Sequence, residues 1–370
     1  MKIGYDAKRA FCNNTGLGNY SRMLVRGAAE GSPESTFVLY TPRTKGRYEG
    51  WCNDLQNVEV RHPAILPSLW RTFLGLRLRR DGIQIYHGLS HELPLLIPHQ
   101  VKSIVTMHDL IVRRYPHYYH WIDRVIHRLK QRHACRRADL IVAISEQTRR
   151  DLVDLMHVPD SKIRVIYQTC DPIFWREEGL ETKDDKTREK YGLPERYILC
   201  VGTVEERKNQ VAAVRALAQL PADVALVIVG RPRGRYPQQV RRAAHECGVD
   251  NRVIYLDNAS FADFPQLYAG AVASVYMSRF EGFGIPVLES LCCDTPVVTS
   301  NLSSMPEAGG DAALYAAPDD IDTIAAHLNH LLSDHAFRQQ CIEKGRIQRL
   351  RFAPDHIAAQ WIALYKALLQ

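Results

Sequence analysis

Short apolar runs alternate along this chain with longer stretches whose apolar residues recur at helical spacing, and Gly, Pro, Asn or Asp bounds most of them. That alternation predicts parallel strands joined by crossover helices. The first half offers strands at 2–5, 37–40, 58–60, 83–86, 103–106, 140–144 and 163–167, and a second set follows at 197–201, 225–229, 253–256, 273–276, 296–299 and 313–315. Between the sets, 171–194 is rich in charge and poor in apolar periodicity, with Glu177-Glu178-Gly179 and Lys183-Asp184-Asp185-Lys186, and reads as an interdomain connection. The prediction is an α/β chain of two parallel-sheet domains, 1–172 and 173–353, with ligands at the carboxyl edges of sheets that face a cleft. No short-period repeat or low-complexity tract points to a solenoid.

A chain of 370 residues with 46% hydrophobic content is long enough for two such cores. Its nine cysteines (Cys12, Cys52, Cys135, Cys170, Cys200, Cys247, Cys292, Cys293 and Cys341) are odd in number and form no Cys-x-x-Cys pair, which fits a reducing compartment. The first six residues turn acidic without an apolar region of signal-peptide length, and no apolar run reaches the roughly 18 residues a membrane span needs. The expected location is cytoplasmic, at most peripheral to the inner face of the membrane.

Charge sharpens this picture. Residues 1–172 hold 26 Lys and Arg against 16 Asp and Glu, whereas the remainder holds 22 against 25. The densest basic stretches, 70–80 and 124–137, interleave apolar residues at helical spacing, as helices lying on an anionic membrane do. A solvated helix face is the plainer alternative. Nucleic acid is not an expected partner, because no recognition motif accompanies the charge.

Candidate chemistry lies just after predicted strands. Asn14-Thr15-Gly16-Leu17-Gly18-Asn19-Tyr20 precedes a helix expected near Tyr20 or Ser21. Gly16 and Gly18 would let backbone approach a phosphate at a helix N-terminus, and a plain loop fits the same residues. Ser21 stands where a dinucleotide fingerprint would need its third glycine. Thr106-Met107-His108-Asp109 ends a buried strand with a polar pair at the sheet edge. His87 and His91 are spaced like metal ligands, but Gly88 between them and the lack of a third ligand argue against zinc. In Val201-Gly202-Thr203-Val204-Glu205-Glu206-Arg207-Lys208-Asn209, the pair Arg207 and Lys208 suits a diphosphate held without metal, an exposed basic turn being the plainer reading.

The most informative segment is Phe280-Glu281-Gly282-Phe283-Gly284-Ile285-Pro286-Val287-Leu288-Glu289. Glu281 precedes a glycine turn and Glu289 is expected two helical turns into the next helix. Amides over 282–285 would face an anion, and the carboxylates could accept hydrogen bonds from sugar hydroxyls. Carboxylates at a helix start often serve only its dipole. A simple cap, however, requires neither Glu281 ahead of the turn nor two glycines after it.

Glu281 and Glu289 with seven residues between them, followed by Leu291-Cys292-Cys293-Asp294-Thr295-Pro296-Val297-Val298-Thr299-Ser300, resemble the signature of the retaining GT-B glycosyltransferases of group 1, which include bacterial mannosyl- and glucosyltransferases. The resemblance extends to the Gly16 loop, His108-Asp109, Ile144-Ser145-Glu146-Gln147-Thr148, Glu206-Arg207-Lys208-Asn209, Pro306-Glu307 and an amphipathic helix after Ala353. It implies two Rossmann-like domains facing a cleft, with a helix at about 354–370 crossing back to the N-terminal one. It also implies transfer of a hexose, best mannose from GDP-mannose, to a glycan acceptor that is lipid-linked, in cell-surface polysaccharide synthesis such as lipopolysaccharide.

By the same resemblance Glu281 reaches donor-sugar hydroxyls, Glu289 holds the ribose, and the amides of Phe283, Gly284 and Ile285 bind sugar and diphosphate. Lys208 stabilises the departing diphosphate. Thr203 stands where many members have an arginine, so that share of the work falls to Arg207. His108 contacts the sugar near its 6-hydroxyl. Tyr167-Gln168-Thr169 replaces the usual Pro-Asn-Gly. No metal or other cofactor is implied, and Asp320-Ile321-Asp322 reads as a helix cap, not a metal-binding pair. A same-fold sugar-nucleotide epimerase and a non-catalytic sugar-binding subunit remain the alternatives.

Overall fold

Runs of only three to six residues suffice for strands here because neighbours and helices bury them, and β-branched and aromatic residues fill the pleat. In a computed structural model that describes every residue except 14, 45, 47, 64–69 and 176–184, the chain forms two compact units. One is Met1–Thr169 with Phe352–Gln370, and the other is Cys170–Arg351.

The first unit carries β1 (Lys2–Asp6), β2 (Thr36–Tyr40), β3 (Val58–Arg61), β4 (Ile85–Gly88), β5 (Lys102–Met107), β6 (Leu140–Ala143) and β7 (Ile163–Val165). Its helices are α1 (Lys8–Cys12), α2 (Gly16–Gly31), α3 (Trp70–Arg80), α4 (Ile111–Arg114), α5 (Trp121–Arg137) and α6 (Glu146–Met156). The strands are all parallel, in the order β3-β2-β1-β4-β5-β6-β7.

The second unit carries β8 (Tyr197–Val201), β9 (Ala225–Val229), β10 (Val253–Leu256), β11 (Ala273–Tyr276), β12 (Val297–Ser300) and β13 (Leu314–Ala316), also parallel, in the order β10-β9-β8-β11-β12-β13. Around them run α7 (Asp185–Lys190), α8 (Gln210–Leu217), α9 (Tyr236–Glu246), α10 (Phe264–Gly270), α11 (Ile285–Cys292), α12 (Met305–Gly309), α13 (Ile321–Ser333) and α14 (His335–Arg349). Ile198, Leu226, Ile228, Val275 and Val298 meet Val240 and Leu328 in its core. Asp320 caps α13, accepting from the Thr323 amide at 3.1 Å.

Strand order reverses beside the first strand of each sheet: β1 lies between β2 and β4, and β8 between β9 and β11. Open α/β sheets bind ligands outside the carboxyl ends at such a point. The final helix, α15 (Pro354–Leu369), returns to the first unit and packs on α2. There the Tyr365 hydroxyl lies 3.1 Å from that of Tyr5 and 2.8 Å from His87 Nδ1.

Several boundaries differ from the sequence expectation. The fourth strand runs to Gly88 instead of ending at 86, because His87 is fully buried although its residue type reads as polar. α2 starts at Gly16, not near Tyr20, so the glycines form its first turn. Glycine's poor helix propensity hid this, yet a Cβ on Gly18 would sit 1.9 Å from the Asn13 carbonyl oxygen. In the segment read as a connection, Pro172–Phe174 forms a 3-10 turn that buries Phe174 against Phe261 and Tyr268. Glu177-Glu178-Gly179 and Lys183-Asp184, like Asn14 of the glycine loop, lie outside the described residues.

Candidate functional site

At the switch point of the second sheet, two segments leave adjacent strands. After β8 the chain passes Gly202 and Thr203 and makes the turn Glu206–Lys208 before α8; after β11 it runs through Ser278 and Glu281 to α11. They meet at the Glu281 carboxylate. Its Oε1 accepts from Lys208 Nζ at 2.6 Å and from the Tyr276 and Ser278 hydroxyls, each at 2.7 Å, and forms an ion pair with Arg207 Nη1 at 2.6 Å. Among the described residues Oε2 accepts no hydrogen bond, and the side chain keeps 13% of its exposure. One oxygen is therefore anchored and the other presented.

Burial alone would raise the Glu281 pKa, but Lys208 and Arg207 together outweigh it and hold the carboxyl well below the usual range. Burial lowers the Lys208 pKa, opposed by Glu281. Arg207 also donates to the Phe280 carbonyl (2.7 Å) and to Glu205 (2.7 Å), so its guanidinium braces the 280 loop. Lys208 donates to Tyr276 and to Glu281, which leaves one of its three N–H groups available. Ser303 and Ser304 close the frame by donating to the Glu281 carbonyl at 2.7 and 3.0 Å.

Gly284 caps α11 with φ +109°, a conformation that favours glycine, and Ile285 and Pro286 open the helix. The Ile285 amide has no acceptor among the described residues, as first-turn amides do not. The Phe283 side chain is buried beneath this turn. Glu289 is the fifth residue of α11, one turn from its start and not two. Its Oε2 accepts from the Tyr268 hydroxyl at 3.0 Å, and burial pushes its pKa up to about 7.

This shift fixes the sign of a pH effect. The folded chain holds the Glu289 proton to higher pH than the unfolded chain, whose glutamates titrate near about 4.3. Its contribution to stability is complete below that value and is lost as pH rises to about 7. Urea unfolding at pH 5 and pH 8 should show a smaller decline for Glu289→Gln than for the wild type. An identical decline would mean that Glu289 titrates normally.

The first unit brings other candidates to its carboxyl edge. His108 follows β5, and its Nε2 donates to the Leu89 carbonyl at 2.8 Å, which leaves Nδ1 with the lone pair. Burial lowers its pKa to about 3, so the ring is neutral. Tyr20 of α2 stands edge-on to it at 4.6 Å and bonds Thr106. Gly16 has open space around it, whereas Gly18 is packed against Asn13. Both nitrogens of His87 are engaged, by Tyr365 and Thr106, so it does not pair with His91. Among the described residues no three His, Cys, Asp or Glu side chains converge on a point a metal could occupy. Thr203 contributes its carbonyl, which accepts from Gln210.

Sequence reasoning found Glu281, Lys208 and Arg207 but not their contact with one another, nor Tyr276, Ser278, Ser303 and Glu205. A tyrosine ending a strand five residues before Glu281 was the available signal.

Residues 183–348 match the profile described as glycosyl transferases group 1, and residues 15–173 match glycosyltransferase family 4. The O-antigen chain mannosyltransferase B of Escherichia coli is 32% identical, covering all of both chains. The O-antigen chain mannosyltransferase RfbU of Salmonella typhimurium is 28% identical over 69% of this chain and 68% of its own. HepE from Anabaena, crystallised with UDP and glucose, superposes with a TM-score of 0.76 at 19% identity, covering 99% of this chain and all of its own, a likeness of fold. With full-length similarity joined to two Rossmann-like units and a glutamate–lysine pair at a sheet's switch point, the chain belongs to the group 1 glycosyltransferases of GT-B architecture.

Proposed function

We propose that this enzyme transfers mannose from GDP-mannose, with retention of anomeric configuration and without a metal, to a lipid-linked glycan during synthesis of a cell-surface polysaccharide. The O-antigen mannosyltransferases among its relatives support the sugar and the pathway class. The observation that carries the reading is the divided carboxylate of Glu281, one oxygen bound to Lys208 and Arg207 and the other turned out. Glu281 Oε2 accepts from donor-sugar hydroxyls. Lys208 uses its remaining N–H on the diphosphate, Arg207 holds Glu281 in register, and the Gly284 and Ile285 amides face the same anion. Glu289 accepts from the ribose hydroxyls. Gly16, with open space around it, and Gly18, packed on Asn13, supply backbone at the start of α2, and Thr203 supplies backbone just past β8.

In this reading the anomeric carbon–oxygen bond to the diphosphate breaks as the acceptor hydroxyl attacks the same face. The departing phosphate oxygen takes the acceptor's proton. Charge grows on the diphosphate, so fixed positive groups carry most of the stabilisation. Nucleoside diphosphate should appear only when donor and acceptor are both supplied, and at an unchanged rate in EDTA. Release that needs added magnesium or manganese would overturn the metal-free mechanism. Release without acceptor would favour a hydrolase, and conversion of the donor sugar with no net release of nucleoside diphosphate an epimerase.

The acceptor's lipid anchor accords with α5. Its buried residues are Gln131, Ala134 and Cys135. At roughly 100° per residue, Ile122, Val125, Ile126 and Leu129 lie on the opposite side. Trp121 and Leu129 are 60% and 62% exposed, and Arg128, Lys130 and Arg132 flank the stripe. Leu95 and Leu96 extend it, held beside α5 through His133 Nε2 and the Pro94 carbonyl at 3.2 Å. No described helix is long and apolar enough to cross a membrane. An outward apolar face between cations suits an anionic bilayer surface. The protein should float with phosphatidylglycerol-containing vesicles and detach as salt rises. Ile126→Asp should weaken binding about 10-fold or more, the worth of one buried aliphatic side chain. Flotation equal with neutral vesicles or with Ile126→Asp would remove α5 as the contact.

A further inference from the structure

His91 lies three residues past β4, at φ +60°, in the left-handed region that residues other than glycine adopt uncommonly, Asn, Asp and His more often than the rest. Two contacts hold it there. Its amide donates to the Thr106 carbonyl at 3.0 Å, and the turn beneath is so tight that a Cβ on Gly88 would sit 2.1 Å from the Glu92 carbonyl oxygen. The His91 ring lies 5.3 Å from that of His108. Its Nδ1 is buried without a hydrogen-bond partner, while Nε2, equally without one among the described residues, is the nitrogen left accessible. A buried orphan N–H is rarer than a buried lone pair, so the proton belongs on Nε2. Burial lowers the His91 pKa to about 4, and the ring is neutral like its neighbour.

The two imidazoles are thus complementary. His108 Nε2–H is committed to Leu89, so its Nδ1 offers a lone pair, and His91 Nε2 offers an N–H. We infer that His91 is a specificity-determining residue that reads, together with His108, a single sugar hydroxyl, His91 donating to its oxygen and His108 accepting its proton. A hydroxyl is the one sugar substituent that answers both. A left-handed backbone held by its surroundings is retained where a ligand would use the ring, and a site built to bond a hydroxyl rejects strongly the analogue that lacks it. This inference rests on the glycosyltransferase reading above, and donor and acceptor both carry hydroxyls of this chemistry.

The test compares kcat/KM for GDP-mannose and GDP-6-deoxymannose, and for mannoside acceptors with and without each hydroxyl, in the wild type, His91→Gly and His91→Asn. The wild type should favour one hydroxylated partner over its deoxy analogue by about 100-fold or more. In His91→Gly that preference should shrink to within about 10-fold, through loss on the hydroxylated substrate alone, with Tm unchanged or higher because glycine accepts φ +60° without strain. His91→Asn, which tolerates the backbone and keeps an N–H donor, should retain part of the preference. The arm in which discrimination collapses names the source of the hydroxyl. Unchanged discrimination in both arms, or a Tm that falls in step with activity, would overturn the inference. A wild type that releases no nucleoside diphosphate with any donor and acceptor would overturn the transferase reading and this inference with it.

Discussion

Lys208→Ala should lower kcat by about 100- to 1,000-fold, the usual loss when one fixed donor to a developing negative charge is removed. Lys208 is 12% exposed and bound to Tyr276 and Glu281, so its ammonium is fixed before substrate arrives. The substitution removes the charge and the third N–H together. It also leaves the buried Glu281 carboxylate with Arg207 as its remaining cation among the described residues, so the carboxyl pKa should rise. Affinity for nucleoside diphosphate should fall too, because the diphosphate is present in substrate and product alike. Lys208→Arg would restore the charge but not the geometry, since a planar fork cannot enter the space of a point donor between Tyr276 and Glu281. Steady-state kinetics and calorimetric titration with GDP would decide the matter. Undiminished GDP binding by folded Lys208→Ala would show that the ammonium does not face the diphosphate.

The legibility of this site in the sequence was uneven for physical reasons. Parallel strands buried on both faces are written as apolar runs, so Tyr197–Val201 or Ala225–Val229 could be read directly. Position after a strand then marked Arg207-Lys208 and Glu281 as a pair of edges. Their contact could not be read, because Lys208 and Glu281 are 73 residues apart and joined only by the adjacency of β8 and β11. Strand order leaves no local trace in composition. The same holds for His87 and Tyr365, separated by 278 residues and joined where α15 returns to the first unit. The start of α2 is hidden for the opposite reason. Local propensity speaks against helix at Gly16 and Gly18, but the close approach of Gly18 to the Asn13 carbonyl, which needs a residue without Cβ, prevails.

Glu281→Gln and Glu289→Gln should separate chemistry from binding, although both replace a glutamate of one short segment by its amide. In Glu281→Gln an amide oxygen can still take the hydrogen bonds of Tyr276 and Ser278, but the amide nitrogen replaces the free Oε2. The proposed hydrogen-bond acceptor for sugar hydroxyls becomes a donor, and Lys208 and Arg207 lose the anion they share. Turnover should drop by about 100-fold or more, since bonds to the sugar tighten as positive charge develops at its anomeric carbon. GDP lacks the sugar and meets a more positive site, so its affinity should hold or rise. In the proposed role, Glu289 meets a part of the donor that does not react. Its replacement should weaken GDP binding by roughly 1.5 to 3 kcal/mol, the worth of hydrogen bonds to a charged group, and change kcat at saturating donor little. Because the carboxyl titrates near pH 7, wild-type affinity for GDP should also climb between pH 6 and pH 8, while that of Glu289→Gln stays flat. Calorimetry across that range, set beside kcat for both variants, measures every term. Equal effects of the two substitutions on turnover and on GDP affinity would abolish the division of roles while leaving the family assignment intact.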